Sequence, residues 1–271
     1  MHHIEPSYNL FLVALSFFVS VFGSYTGILL VKAAQSSTTN RAAWIIAAAT
    51  ALGGGAIWTM HFIGMLAYDM GMPVNYDPLI TFASLAIAVI VVGMGLFFVA
   101  GNQNSILRLL IAGVITGLGV ASMHYSGMYA MNMAANMSYD PALFAISIVI
   151  ALVAATAALW LAFNLDGNIK MLLAAVVMGV AVCGMHYVGM AAMNMDGMDH
   201  AAHVEEGIKP LTLGLFIFCF SMLLLVLCLI VGMAQLSRKM YETMEAEDEA
   251  GEQSAYASQF GKLDLPASKT S

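Results

Sequence analysis

Three histidines in this chain sit in copies of one short motif. Met60-His61-Phe62-Ile63-Gly64-Met65 returns as Met123-His124-Tyr125-Ser126-Gly127-Met128 and again as Met185-His186-Tyr187-Val188-Gly189-Met190. On a helix, residues four apart share a face. His61 then lies beside Met65, His124 beside Met128 and His186 beside Met190. Imidazole with thioether is a selective donor set, because soft sulfur favours Cu(I) and imidazole also suits copper. Three such sets at one depth could converge on one copper ion or hold several. Duplication copies packing residues as readily as ligands, and methionine also fills irregular apolar gaps. The glycine inside each motif (Gly64, Gly127, Gly189) is expected to let a neighbouring backbone approach closely.

The likeness extends beyond the motif. The histidines are 63 and then 62 residues apart, and a glycine stands seven residues before each: Gly54, Gly117 and Gly179. A Met-x-Met pair follows each copy: Met70/Met72, Met131/Met133 and Met193/Met195. The first two copies run on into Tyr76-Asp77-Pro78 and Tyr139-Asp140-Pro141, whereas the third continues into a loop with His200 and His203. A period of this size fixes an architecture: two helices with their loops, three times over, and one helix left unpaired. Copies on every second helix must all face the same side.

The elements that carry these motifs are membrane helices. The chain has 271 residues, is 61% hydrophobic and only 9% charged, and has a mean hydropathy of +0.86. A soluble domain has about 25% charged residues, so lipid must cover part of this surface. Seven stretches are long and apolar enough to cross a bilayer: about 8–31, 44–66, 79–100, 107–129, 142–163, 170–192 and 211–234. The first lacks a small-residue cleavage site and is expected to be retained. The fold class is therefore an all-α membrane protein with seven transmembrane helices, three tandem two-helix repeats plus one helix. Lys32, Arg41, Arg108, Lys170, Arg238 and Lys239 flank one side and Lys209 alone the other. The positive-inside rule then puts the N-terminus outside and the C-terminus in the cytoplasm. The motifs, all seven histidines and most of the 22 methionines fall on the outer side. Acidic residues there, among them Asp69, Asp77, Asp140 and Asp196, are expected to draw in cations.

The same composition excludes other classes. The net charge of −7 and the lack of a basic patch give no nucleic-acid site. No ionisable acid or base lies near the centre of a span, which weighs against a proton-coupled carrier. No Ser/His/Asp set, phosphate-binding glycine loop or paired carboxylates occur at working depth, so no enzyme is expected. Cys183, Cys219 and Cys228 match neither a disulfide framework nor a zinc site. Residues 1–235 form the membrane domain. Residues 236–271, rich in Glu, Ala, Ser and Gln, read as a cytoplasmic tail, largely disordered, with Arg238 to Glu247 able to prolong the last helix.

Met-His-Tyr on alternate spans of a seven-helix protein resembles the MHYT domain family of bacterial integral membrane sensors. The likeness covers about residues 7–235 and includes Ser7-Tyr8-Asn9 and Gly23-Ser24-Tyr25-Thr26. Ile63, Ser126 and Val188 stand where the family name has threonine, and Phe62 replaces tyrosine in the first copy. The resemblance implies a copper site that senses a diatomic gas (O2, CO or NO) or redox state. The ligands it implies are Met60, His61 and Met65; Met123, His124 and Met128; Met185, His186 and Met190. It also implies the bacterial cytoplasmic membrane. Relatives often carry a fused cytoplasmic output; none is expected here, so either a separate cytoplasmic signalling partner receives the signal or the protein is not a signal transducer. Two alternatives stay open: a copper-handling membrane protein or transporter, and a haem-binding redox protein with two of the histidines as axial ligands.

Overall fold

A computed structural model describes residues 7–37, 39–196 and 206–260. His2, His3, Glu5, Asp199, His200, His203 and Glu205 lie outside the described residues. Seven helices are long and apolar enough to cross a membrane: α1 (Leu10–Ser36), α2 (Arg41–Leu66), α3 (Pro78–Ala100), α4 (Ile106–Tyr129), α5 (Pro141–Asn164), α6 (Asn168–Ala191) and α7 (Pro210–Phe260). The chain is thus a multi-pass membrane protein. Helices α1 to α6 form a closed ring in which each packs on its sequence neighbours and α6 returns to α1. Helix α7 lies outside the ring, against α1 and α2. The motif-bearing ends of α2, α4 and α6 meet one another inside it.

Each repeat is closed by a short antiparallel pairing. Strand β1 (Ser7–Tyr8) precedes α1 and pairs with β2 (Tyr68–Asp69) after α2. Strand β3 (Asn75–Tyr76) precedes α3 and pairs with β4 (Met131–Asn132) after α4. Strand β5 (Asn136–Tyr139) precedes α5 and pairs with β6 (Met193–Asp196) after α6. The sequence led us to expect plain loops here. Runs of two to four residues carry no alternation long enough to betray a strand. The amides of Asn9, Asp77 and Asp140 donate to the carbonyls of Ala67, Ala130 and Ala192, each at 2.8 Å. The same three side chains then cap their helices. Asn9 accepts from Phe11 and Leu12, Asp77 from Ile80, and Asp140 from Ala142 and Leu143. Proline at the first turn of α3 and α5 suits a position whose amide has no helical partner.

These caps give the carboxylates a structural role. Asp77 and Asp140 hold helix starts, and Asp69 accepts from the Gly71 amide at 2.9 Å. Those carboxylates complete the backbone at helix and turn starts, where short acidic side chains supply the missing acceptor.

Helix α2 departs from its counterparts. Thr50–Trp58 is π-helical, a wider coil that occurs mostly as short insertions near functional sites. It contains Gly53-Gly54-Gly55. A Cβ on Gly53 would lie 2.6 Å from the Ala88 carbonyl oxygen, so α2 and α3 touch backbone to backbone there. The Thr59 hydroxyl bonds the Gly54 carbonyl at 2.9 Å and the Ser221 hydroxyl of α7 at 2.6 Å.

The end of the ring away from the motifs is tied by basic and amide groups. Arg41 donates to the Ala100 carbonyl at 2.6 Å. Lys32 and Gln35 both donate to the Phe163 carbonyl. Cations near helix C-termini satisfy carbonyls that lack an intrahelical donor. Helix α7 continues beyond the bundle to Phe260, further than the extension to about Glu247 that the sequence suggested. Every side chain from Met240 to Tyr256 is exposed, and residues 261–271 lie outside the described residues.

Candidate metal centre

The three motif histidines meet. Each lies in the last two turns of its helix, on the face turned into the ring. His61 Nδ1 is 3.1 Å from His186 Nδ1 and 3.0 Å from His124 Nδ1. One ligand atom from each ring falls within 4.8 Å of the other two. The imidazoles stand edge to face, with centroids 4.8 to 5.2 Å apart. No other group of three metal-ligating His, Cys or acidic side chains occurs among the described residues.

The arrangement is cyclic. His61 Nε2 points at Gly127 of the second motif, His124 Nε2 at Gly189 of the third, and His186 Nε2 at Gly64 of the first. A Cβ at any of these glycines would collide with that nitrogen. We therefore correct the glycine's expected role: the motif glycine admits the preceding copy's imidazole, not a neighbouring backbone. A flat ring fits where a methyl group is missing, and the closed ring of three repeats makes each copy serve the next.

These contacts leave a polar deficit. His61, His124 and His186 are at most 1% exposed, and none of their Nε2 atoms has a hydrogen-bond partner. A neutral imidazole carries one N–H and one lone pair. Where two Nδ1 atoms face each other, the accepting ring must carry its hydrogen on Nε2, where nothing receives it. Buried polar groups without partners are rare and call for a cause such as an ion. A metal ion bound at the Nδ1 atoms would take up the three lone pairs turned towards one another there, and would leave each Nε2–H facing a motif glycine. Bonds of about 2.0 Å in a tetrahedral arrangement hold nitrogens about 3.3 Å apart, close to the 3.1 and 3.0 Å from His61 Nδ1 to the other two. The donor set fits a first-row ion.

All nine residues of the implied ligand set are buried, at most 2% exposed, and they divide in two. Met65, Met123, Met128 and Met190 pack with Phe62, Tyr76 and the Met-x-Met residues Met70, Met131 and Met193 in an apolar cap over the motif end. Met185 belongs to the core further along the helices. Met60 is 1% exposed. The Met-x-Met pairs are strand and cap residues, packed side by side. Above the cap, burial raises the Tyr8 phenol to about 12, with Tyr68 and Tyr187 adding to it. Burial raises Tyr76 as well.

The aromatic after each histidine braces its ring. Phe62, Tyr125 and Tyr187 sit edge-on to His61, His124 and His186 at 4.9, 4.8 and 4.8 Å. Each also meets the tyrosine that opens a repeat: Tyr76, Tyr139 and Tyr8. The Tyr125 hydroxyl bonds Ser147 at 2.6 Å and the Tyr187 hydroxyl bonds Ser16 at 3.0 Å. Phe62 lacks a hydroxyl, and Trp58 Nε1 donates to Ser84 at 2.9 Å in its place. The sequence reading missed these serines. Their signal was present: Ser84 and Ser147 each lie 22 residues after their motif aromatic.

Comparison with known proteins agrees with this construction. The family model described as "Bacterial signalling protein N terminal repeat" (MHYT) matches residues 54–112 and 117–175. The chain is 37% identical over 232 residues to the bifunctional diguanylate cyclase/cyclic di-GMP phosphodiesterase MucR of Pseudomonas aeruginosa, covering 83% of this chain and 34% of the relative. It is 37% identical over 193 residues to the cyclic di-GMP phosphodiesterase NbdA of the same organism, covering 69% and 24%. It is 33% identical over 234 residues to the signaling protein YkoW of Bacillus subtilis, covering 82% and 29%. The chain thus spans about a third or less of the length of these relatives. No solved structure matches it. Two matched tandem repeats, signalling relatives and three cyclically related motifs lead to one conclusion: the chain is an MHYT-domain protein, a multi-pass member of a bacterial signalling family.

Proposed function

We propose that this protein is a membrane sensor whose metal site is built from His61, His124 and His186 and holds copper. The observation that carries the reading is the convergence of the Nδ1 atoms of three fully buried histidines. Three imidazoles with a free fourth position suit an ion that must still take up a ligand. The nearby thioethers favour the cuprous form, with Met65, Met128 and Met190, and then Met60, Met123 and Met185, as the sulfurs available to it. The signal is a diatomic gas (O2, CO or NO) bound at the ion, or a change in the ion's redox state. The site faces the outside of the bacterial cytoplasmic membrane, since Lys32, Arg41, Arg108, Lys170 and Arg238 lie at the opposite end. Helix α7 carries the signal to a cytoplasmic partner of the cyclic-di-GMP class that the relatives' names suggest.

The alternatives have less support. Haem would need a macrocycle between two axial imidazoles, and rings 4.8 to 5.2 Å apart leave no space for one. Copper passage would need donors along the axis, and beyond the triad the lining is almost wholly apolar. The test is copper content after Cu(I) is offered under reducing conditions. Wild type should hold the metal, and the double variant His124→Ala/His186→Ala should lose it while keeping its helical circular dichroism. Copper retained in the double variant would refute the ligand assignment.

A further inference from the structure

A cavity of roughly 60 Å³ lies inside the ring on the side of the triad away from the cap. Ile57, Val120 and Val182 line it, and each stands four residues before a triad histidine, one helical turn further into the bundle. Met185, next to His186, lines it too. Its α5 wall is alanine apart from Leu159: Ala151, Ala154, Ala155, Ala158 and Ala162, with Ala181 opposite on α6. Ser24 and Thr116 are the polar members of the lining, and the Thr116 hydroxyl is turned to the Val91 carbonyl at 3.4 Å.

Water is a poor occupant of such a space. A buried water needs two to four polar partners, and an apolar cavity with room for several waters stays dry and takes up apolar solutes instead. Larger side chains at Ala155 or Ala181 would close it, yet small residues keep it open on the bundle axis. We propose that this cavity is a binding site for a small apolar solute of a few heavy atoms drawn from the bilayer, separate from the histidine centre. The solute also presses on a specific element. Leu52 and Ile57 belong to the π-helical stretch of α2. The outer side of that stretch meets α7, where Gly55 abuts Leu225 and the adjoining Thr59 bonds Ser221. Occupancy therefore bears on the contact between the ring and the helix that leaves the membrane.

The probe is xenon, added to detergent-purified, metal-free full chain and followed by 129Xe NMR. We expect a saturable signal distinct from that of empty micelles. In Ala155→Leu and in Ala181→Leu xenon affinity should fall at least tenfold, with unfolding temperatures equal to or above wild type, since a leucine fills the space. Wild type with no saturable signal beyond that of micelles overturns the proposal without any variant. Equal xenon binding in wild type and a folded leucine variant overturns it as well. Because the protein is metal-free throughout, this result is independent of whether copper binds the triad.

Discussion

The motif histidines and glycines work as interlocked pairs across copies, so the glycines should be as sensitive as the ligands. Alanine at Gly127 puts a methyl group where His61 Nε2 lies. Overpacking of this kind costs about 1–3 kcal/mol. We expect Gly127→Ala to lower unfolding stability by that amount and to weaken copper binding at least tenfold. Equilibrium unfolding and metal titration on one preparation check both. By contrast Tyr125→Phe should be mild, because the first copy already has Phe62 at this place. Loss of the bond to Ser147 costs about 1 kcal/mol, and copper content should not change. The motif histidines and methionines could be picked out from their repetition alone. That the three imidazoles share one point could not, since spacing along a helix says nothing of the angle between helices. The glycine's true neighbour was hidden for the same reason: it lies 65 to 122 residues away in sequence.

At the level of elements, the cap and the π-helical stretch set the site apart from solvent and from the rest of the bundle. Tyr8 and Tyr76 in the paired strands are held neutral by burial, with folded pKa values above the ordinary 10. Below pH 10 that preference contributes fully. Above it, the unfolded chain releases phenolic protons that the folded cap retains, so stability falls as pH rises towards 12. Thermal unfolding in detergent should therefore be level from pH 7 to 9 and decline from pH 10 upwards, less steeply in Tyr76→Phe. The Thr59–Ser221 bond joins α7 to α2 beside the site. Ser221→Ala leaves the Thr59 hydroxyl its bond to Gly54, and should cost about 1 kcal/mol. The seven spans were legible because apolar runs of membrane length are the plainest signal a sequence carries. The π geometry was not: Gly53-Gly54-Gly55 permits it, but the close approach of Ala88 and of α7 is what selects it.

The whole molecule is a ring of three repeats with one helix outside it, and its function depends on which side the site faces. From the distribution of basic residues the triad end is proposed to face outside. Single cysteines introduced into a variant lacking Cys183, Cys219 and Cys228 report this directly. Asn132→Cys should react with a membrane-impermeant maleimide added to intact cells, and Tyr256→Cys only after lysis; the reverse pattern would turn the molecule over. The three-fold plan could be inferred from the period of 63 and 62 residues, and Ser7-Tyr8-Asn9 already marked where the first copy opens. That α7 sits outside the ring, against α1 and α2, follows from packing that no single-chain pattern encodes. Three imidazoles are proposed to hold one metal ion. The most direct measurement is X-ray absorption at the copper edge on protein purified without affinity tags or chelators and loaded with Cu(I). The account predicts one copper per chain with imidazole scattering from about three nitrogens at ~2.0 Å, lost in the His124→Ala/His186→Ala variant. No bound copper, or copper with sulfur neighbours and no imidazole scattering, would contradict it.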